Sequence, residues 1–131
     1  MHTGSCLCGA VRYEVRGEFQ QTVYCHCGRC RKAGGSAFAT NAVAATKDFV
    51  VVQGQDALKK FSTPAGVNRY FCSTCGAPII SSRDSVPEVL RVRVGSLDTP
   101  LDRPPSAHIF VGSKAAWWEI RDQLPQHAER P

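Results

Sequence analysis

Seven cysteines fall in three tight groups and nowhere else: Cys6 and Cys8, then Cys25, Cys27 and Cys30, then Cys72 and Cys75. With 131 residues the chain is long enough to bury roughly two thirds of its unfolded surface, so it does not need covalent staples to fold. An odd count disfavours a disulfide framework, and thiols two or three positions apart point more easily at a common centre than at short, strained bridges. The spacing therefore predicts metal sites. Zinc bound by thiolates prefers a tetrahedron, and seven ligands divide as four plus three.

Two of the groups are alike. Cys6-Leu7-Cys8-Gly9 and Cys72-Ser73-Thr74-Cys75-Gly76 each offer two thiols from a tight turn that ends in glycine, where a positive φ is free. If they share one ion, the closed shell of four sulfurs ties the N-terminal strand to the middle of the chain and leaves no place for a substrate. That zinc is structural.

The third group, Cys25-His26-Cys27-Gly28-Arg29-Cys30, supplies three thiols and leaves one position open, the usual mark of metal chemistry. An all-sulfur shell favours another soft ligand, so a small-molecule thiol is the natural fourth partner. Other readings stand beside this one. His26, His108 or His2 can close the shell and make the site structural, and a redox-active triplet is a further option. Attachment of c-type haem fails, because no CxxC here is followed by His. Arg29, Arg31 and Lys32 are ordinary solvated charges taken singly, but together they can neutralise the thiolates or hold a substrate's carboxylates.

Between the cysteines the pattern is that of short strands. Val11, Tyr13 and Val15 alternate with Arg12, Glu14 and Arg16 within Ala10 to Phe19, which predicts a half-buried strand. Thr22 to Tyr24 leads as a strand into the triplet, and Gly34-Gly35 ends the turn or short helix that carries it. Ser36 to Val43 reads as a strand of small residues, and Phe49 to Val52 as one covered on both faces. Leu58 to Ser62 and Arg69 to Phe71 flank a Pro64-Ala65-Gly66 turn, a hairpin that delivers Cys72. Pro78 to Ile80 continues as a strand. Val89 to Val94 alternates, with Leu90, Val92 and Val94 expected inward and Arg91 and Arg93 toward solvent.

Asp98 to Ser106 reads as a surface connection, and His108 to Val111 as an apolar strand whose histidine is a hydrogen-bonded core residue. Lys114 to Ile120 is the one stretch expected to make a helical turn. One of Trp117 and Trp118 is expected in the core, and the tail from Pro125 is expected to fray. The sum is a mainly β fold of many short strands and few helices, as a single zinc-binding domain over residues 1–131.

Charge excludes little by itself. Sixteen Lys and Arg against eleven Asp and Glu give +5, but seven thiolates subtract 7 and two divalent ions add 4, leaving +2. That total, with no basic block beyond Arg29, Arg31 and Lys32, argues against nucleic acid as a partner. No apolar run reaches the roughly twenty residues of a membrane span. The first residues are neither basic nor apolar, so the expected location is the cytoplasm.

Four blocks in this order carry a resemblance: Gly4 to Tyr13 around Cys6 and Cys8, the CHCxxCR stretch from Cys25 to Arg31, the FCxxCG stretch from Phe71 to Gly76, and His108-Ile109-Phe110. From about Thr3 to Leu124 the chain resembles the glutathione-dependent formaldehyde-activating enzyme family, which also takes in centromere protein V. The resemblance implies several small coiled antiparallel sheets organised around zinc knuckles, and a carbon-sulfur lyase that interconverts formaldehyde plus glutathione with S-(hydroxymethyl)glutathione. It also implies two zinc ions, one held by Cys6, Cys8, Cys72 and Cys75 and a catalytic one held by Cys25, Cys27 and Cys30. The alternative is a non-catalytic zinc module with a structural or partner-binding role. A methionine sulfoxide reductase B type fold would need a redox cysteine late in the chain, and none follows Cys75.

Overall fold

A computed structural model describes residues 1–131, and its architecture is mainly β, as expected. Ten strands form two open sheets. Strands β1 (His2–Ser5), β2 (Arg12–Val15) and β5 (Phe49–Gln53) make a three-stranded antiparallel sheet in the order β1-β2-β5. Strands β3 (Gln21–Cys25), β4 (Ala39–Ala45), β6 (Leu58–Ser62), β7 (Val67–Cys72), β8 (Pro78–Arg83), β9 (Val89–Arg93) and β10 (Ala107–Ile109) form the larger sheet. Its order is β10-β3-β4-β9-β8-β7-β6, and only the β10–β3 pair is parallel. The single α-helix, α1 (Gly28–Gly34), carries Cys30.

The main core lies between the sheets. Val11, just ahead of β2, and Tyr13 and Val15 within it point inward with at most 1% exposure, as their alternation predicts, and meet Ala44, Ile80, Leu90 and Val92 of the large sheet. Burial on this scale is the dominant stabilising term. A second cluster, Val23, Cys25, Cys30, Ala39, Ala107 and Ile109, forms at the β10-β3-β4 end on the opposite face of the large sheet.

Several expectations are corrected. Phe49 to Val52 is not covered on both faces: β5 pairs only with β2, and Val52 is 49% exposed. Arg91 and Arg93 do point away from Leu90 and Val92, yet not into solvent. Arg93 is 7% exposed and Arg91 is half-buried, because the face they share is itself covered. Val94 is only half-buried and starts a 3-10 turn.

Toward the C-terminus, Lys114 to Ile120 contains only a reverse turn, closed by the Trp118 N–H to the Ala115 carbonyl, and follows a 3-10 turn at Val111–Ser113. Neither tryptophan is core. Trp117 is 71% and Trp118 40% exposed, and both line one cleft with Tyr24, Phe38 and His108. The tail from Pro125 does not fray: the Pro125, His127, Ala128 and Glu129 carbonyls accept bonds from the His108, Val111, Gly112 and Phe110 N–H groups. No helix is long and apolar enough to cross a membrane.

Candidate metal centres and thiol pocket

The two glycine-ended turns close on one another. The Cys6 N–H bonds to the Val11 carbonyl, and the Cys72 N–H to the Ala77 carbonyl, both at 3.0 Å. Gly9 and Gly76 sit at φ 80° and 78°, the left-handed region that a tight turn of this kind needs and that glycine adopts without strain. The backbone then turns its amides toward sulfur: the Val11 N–H donates to Cys6 Sγ at 3.2 Å. Amide groups of Ala77 and Cys8 draw the Cys75 thiol down to about 6, because they stabilise its thiolate.

All four sulfurs lie within 4.8 Å of one another, with Cys6 and Cys8 at 3.6 Å and Cys8 and Cys72 at 3.8 Å. A tetrahedron with metal–sulfur bonds of ~2.3 Å has edges of about 3.8 Å, so this group fits a zinc ion.

Cys25 ends β3, Cys27 caps α1, and Cys30 lies in the helix. Cys27 Sγ accepts the Cys30 N–H at 3.3 Å, which satisfies one of the free donors of the first helical turn. The three sulfurs again lie within 4.8 Å of one another, and no histidine, aspartate or glutamate atom joins them. Hydrogen bonds from Cys25 and Cys27, helped by the charges of Arg93 and Arg69, hold the Cys30 thiol well below its ordinary range. Cys25 moves the other way, pushed up by its neighbours Cys27 and Cys30 and by burial.

The histidines named above as alternative fourth ligands are engaged elsewhere. His26 and His108 share a hydrogen bond of 2.8 Å between Nε2 and Nδ1, and His108 Nε2 bonds to Asp122 at 2.9 Å. His108 is therefore the buried, hydrogen-bonded residue expected. His2 pairs with Thr99 and Asp102, each at 3.1 Å.

The triplet opens onto a cavity of about 500 Å³. Arg29 and Lys32 line it, as expected for residues next to the triplet. Arg31 does not; its Nη2 donates to the Ser113 carbonyl at 3.3 Å and ties α1 to the 3-10 turn after β10. Sequence reasoning missed the rest of its charged lining, Arg69, Arg83, Arg91 and Arg130.

Strand register explains why three of these four stand together. Arg69 lies opposite Ser81, and Ser81 opposite Arg91, so β7, β8 and β9 present them side by side. Arg83 follows two residues after Ser81 on the same face. The Arg91 Nε–H donates to Ser81 Oγ at 3.3 Å, while Arg69 Nη1 and Arg83 Nε are buried without a partner. No carboxylate lines the cavity. The available signal was the period-two spacing of Arg91 and Arg93 on β9, which shows a common face but not what that face looks at.

A model of the family described as glutathione-dependent formaldehyde-activating enzyme matches residues 1–113. The chain belongs to that family. A relative from Halomonas elongata that carries the glutathione-dependent formaldehyde-activating enzyme name is 32% identical over 130 residues, covering 92% of this chain and 81% of the relative. Relatives of the same name from Aspergillus flavus and Aspergillus oryzae are 24% identical over 116 residues, and the chain spans about half their length, 54%. A crystal structure of a Rhodobacter sphaeroides protein superposes with a TM-score of 0.65 at 33% identity, covering 79% of this chain and 97% of that one. The family expected from the four motif blocks is the family found. Both cysteine groups of this formaldehyde-activating enzyme family member can hold a metal ion.

Proposed function

We propose that this chain is a zinc-dependent carbon-sulfur lyase that joins a glutathione-like thiol to a small aldehyde and reverses that reaction. The observation that carries the reading is the triplet itself: three thiols with no fourth protein ligand, opening on a cavity lined by cations and free of carboxylates. Cys25, Cys27 and Cys30 would hold the catalytic ion, and Cys6, Cys8, Cys72 and Cys75 a structural one. Zinc in a three-thiolate shell supplies an open position at which a thiol ionises near neutral pH.

The chain's own residues do the rest. Arg29 and Lys32 on the α1 side and the strand arginines opposite bind the carboxylates of the thiol and fix its orientation. The reaction then makes one sulfur–carbon bond and breaks the carbonyl π bond, and the thiol's proton ends on the carbonyl oxygen. Asn41 and Ser81 give the floor neutral hydrogen-bonding groups beside that chemistry. The substrate is a small molecule, not nucleic acid or a membrane, and the setting is the cytoplasm.

A closed, non-catalytic zinc module would need a fourth protein ligand at the triplet, and the pairing of His26 with His108 and of His2 with Asp102 weighs against it. Calorimetry of zinc-loaded protein with glutathione tests the proposal. Wild type is expected to bind with release of a proton, and Cys27→Ser, checked for retained secondary structure, is expected to lose that binding. Equal binding by the two proteins, or binding by neither, would overturn it.

A further inference from the structure

The family match ends at residue 113, and the chain beyond it returns to the thiol pocket. From Pro125 the backbone runs parallel to β10, with the His108 N–H bonded to the Pro125 carbonyl and the His127 N–H to the His108 carbonyl, both at 2.9 Å. Next along, the Phe110 N–H donates to the Glu129 carbonyl at 2.9 Å, and the Gly112 N–H to the Ala128 carbonyl at 3.1 Å. Phe110 is the one non-glycine residue with a positive φ, 57°, a conformation that a bulky side chain keeps only where its surroundings impose it. Its ring faces the cavity, and the Arg130 guanidinium lies over it with Cζ 5.2 Å from the centroid. The strap and the strained turn together place Arg130 in the cavity wall.

What Arg130 meets there is more positive charge. Burial and then the charge of Arg130 hold Arg83 below its usual range, and burial, Arg83 and Arg130 push Arg91 down to about 10. Arg83 Nε and Arg69 Nη1 are buried donors without acceptors. Four guanidinium groups lining one cavity, with unspent donors and no carboxylate among the lining residues, make a site built for an anion.

We propose that Arg130, delivered by the C-terminal strap, acts with Arg83 and Arg91 as an anion clamp that binds the carboxylate end of the thiol and makes the enzyme select acidic thiols over neutral ones. This rests on the function proposed above, since it assigns the part of that substrate lying away from sulfur. Arg130 lies beyond the residues that the family model matches, so the clamp adds a specificity device from outside the matched region.

Three probes separate the two ideas in calorimetry on the full-length, zinc-loaded protein. Glutathione carries both sulfur and carboxylates, S-methylglutathione keeps the carboxylates but has no ionisable thiol, and 2-mercaptoethanol has the thiol alone. Arg130→Gln is expected to weaken glutathione and S-methylglutathione roughly tenfold each and to spare 2-mercaptoethanol, and Arg130→Lys to recover part of the loss. Affinity for glutathione within about twofold of wild type in Arg130→Gln, or an equal loss for all three probes, overturns the clamp. If Cys27→Ser leaves glutathione binding intact while Arg130→Gln weakens it, the zinc-thiolate reading falls and the clamp stands.

Discussion

Cys8 and Cys72 stand 64 positions apart in the chain, and their sulfurs lie 3.8 Å apart. One comes from the turn after β1 and the other from the end of β7, so a shared ion would fasten the small sheet to the large one.

That contact makes Cys72→Ser a test of the structural site. Cys72 is fully buried, and its loss leaves three thiols and a buried hydroxyl where a tetrahedron is expected. The variant is expected to carry one metal equivalent fewer by native mass spectrometry. It should also melt at least ~10 °C lower than wild type, as a loss of about 3 kcal/mol in a domain of this size implies. An unchanged metal count would show that the four cysteines do not act together.

Arg93 is the buried cation under the triplet. It is 7% exposed; burial pulls its basicity down, while the attraction of Cys30, Cys25 and Cys27 pulls it back up. Three thiolates with a divalent ion would sum to one negative charge, which Arg93 would offset. Replacing it by methionine keeps the apolar stem and removes the charge. Metal affinity at the triplet is expected to fall about tenfold in a competition titration with a chelator, the four-cysteine site being unaffected.

Tyr13 predicts an alkaline limb of stability. Its hydroxyl bonds to Ser96 Oγ at 2.7 Å; Ser96 gives its own proton to the Arg93 carbonyl, so Tyr13 is the donor. Burial first, and Asp98 second, raise the phenol from 10.0 to about 12. The unfolded chain releases this proton first, so the contribution is whole below pH 10 and is lost as pH rises toward 12, up to ~2–3 kcal/mol. Tyr13→Phe is expected to be about 1 kcal/mol less stable than wild type at pH 8. Urea denaturation at stepped pH should show that difference shrinking or reversing above pH 10; a constant gap would contradict it.

The His26–His108 pair invites a double-mutant cycle. Both rings are buried, at 0% and 3% exposure, and the hydrogen bond between them is out of reach of water. His26→Phe alone strands His108 Nδ1 and should cost about 1–3 kcal/mol in denaturant unfolding. Adding His108→Phe removes the stranded group, so the double variant is expected to lose less than the sum of the singles. Additive losses would mean that the pair contributes packing only.

How far the sequence reaches can be judged residue by residue. Cysteine spacing picked out both thiol groups, because metal coordination would demand several donors within a few ångströms and the turns that supply them are local. Alternation placed Val11, Tyr13 and Val15 in the core, since a strand's side chains must point to opposite faces. The same alternation separated Arg91 and Arg93 from Leu90 and Val92 but could not say what lay on their side. Only the coverage of that side, with α1 and the turn after β10 opposite the arginine strands, made it a pocket and not a solvent face. The tail from Pro125 reads as polar and loose, yet its backbone finds donors at β10, and Arg130 finds Phe110. The sequence by itself determined the thiol groups and the buried stripe, because both follow from short-range geometry. The tertiary structure decided which charges meet the triplet, because that depends on register between strands and on contacts between residues more than eighty positions apart, such as His26 and His108.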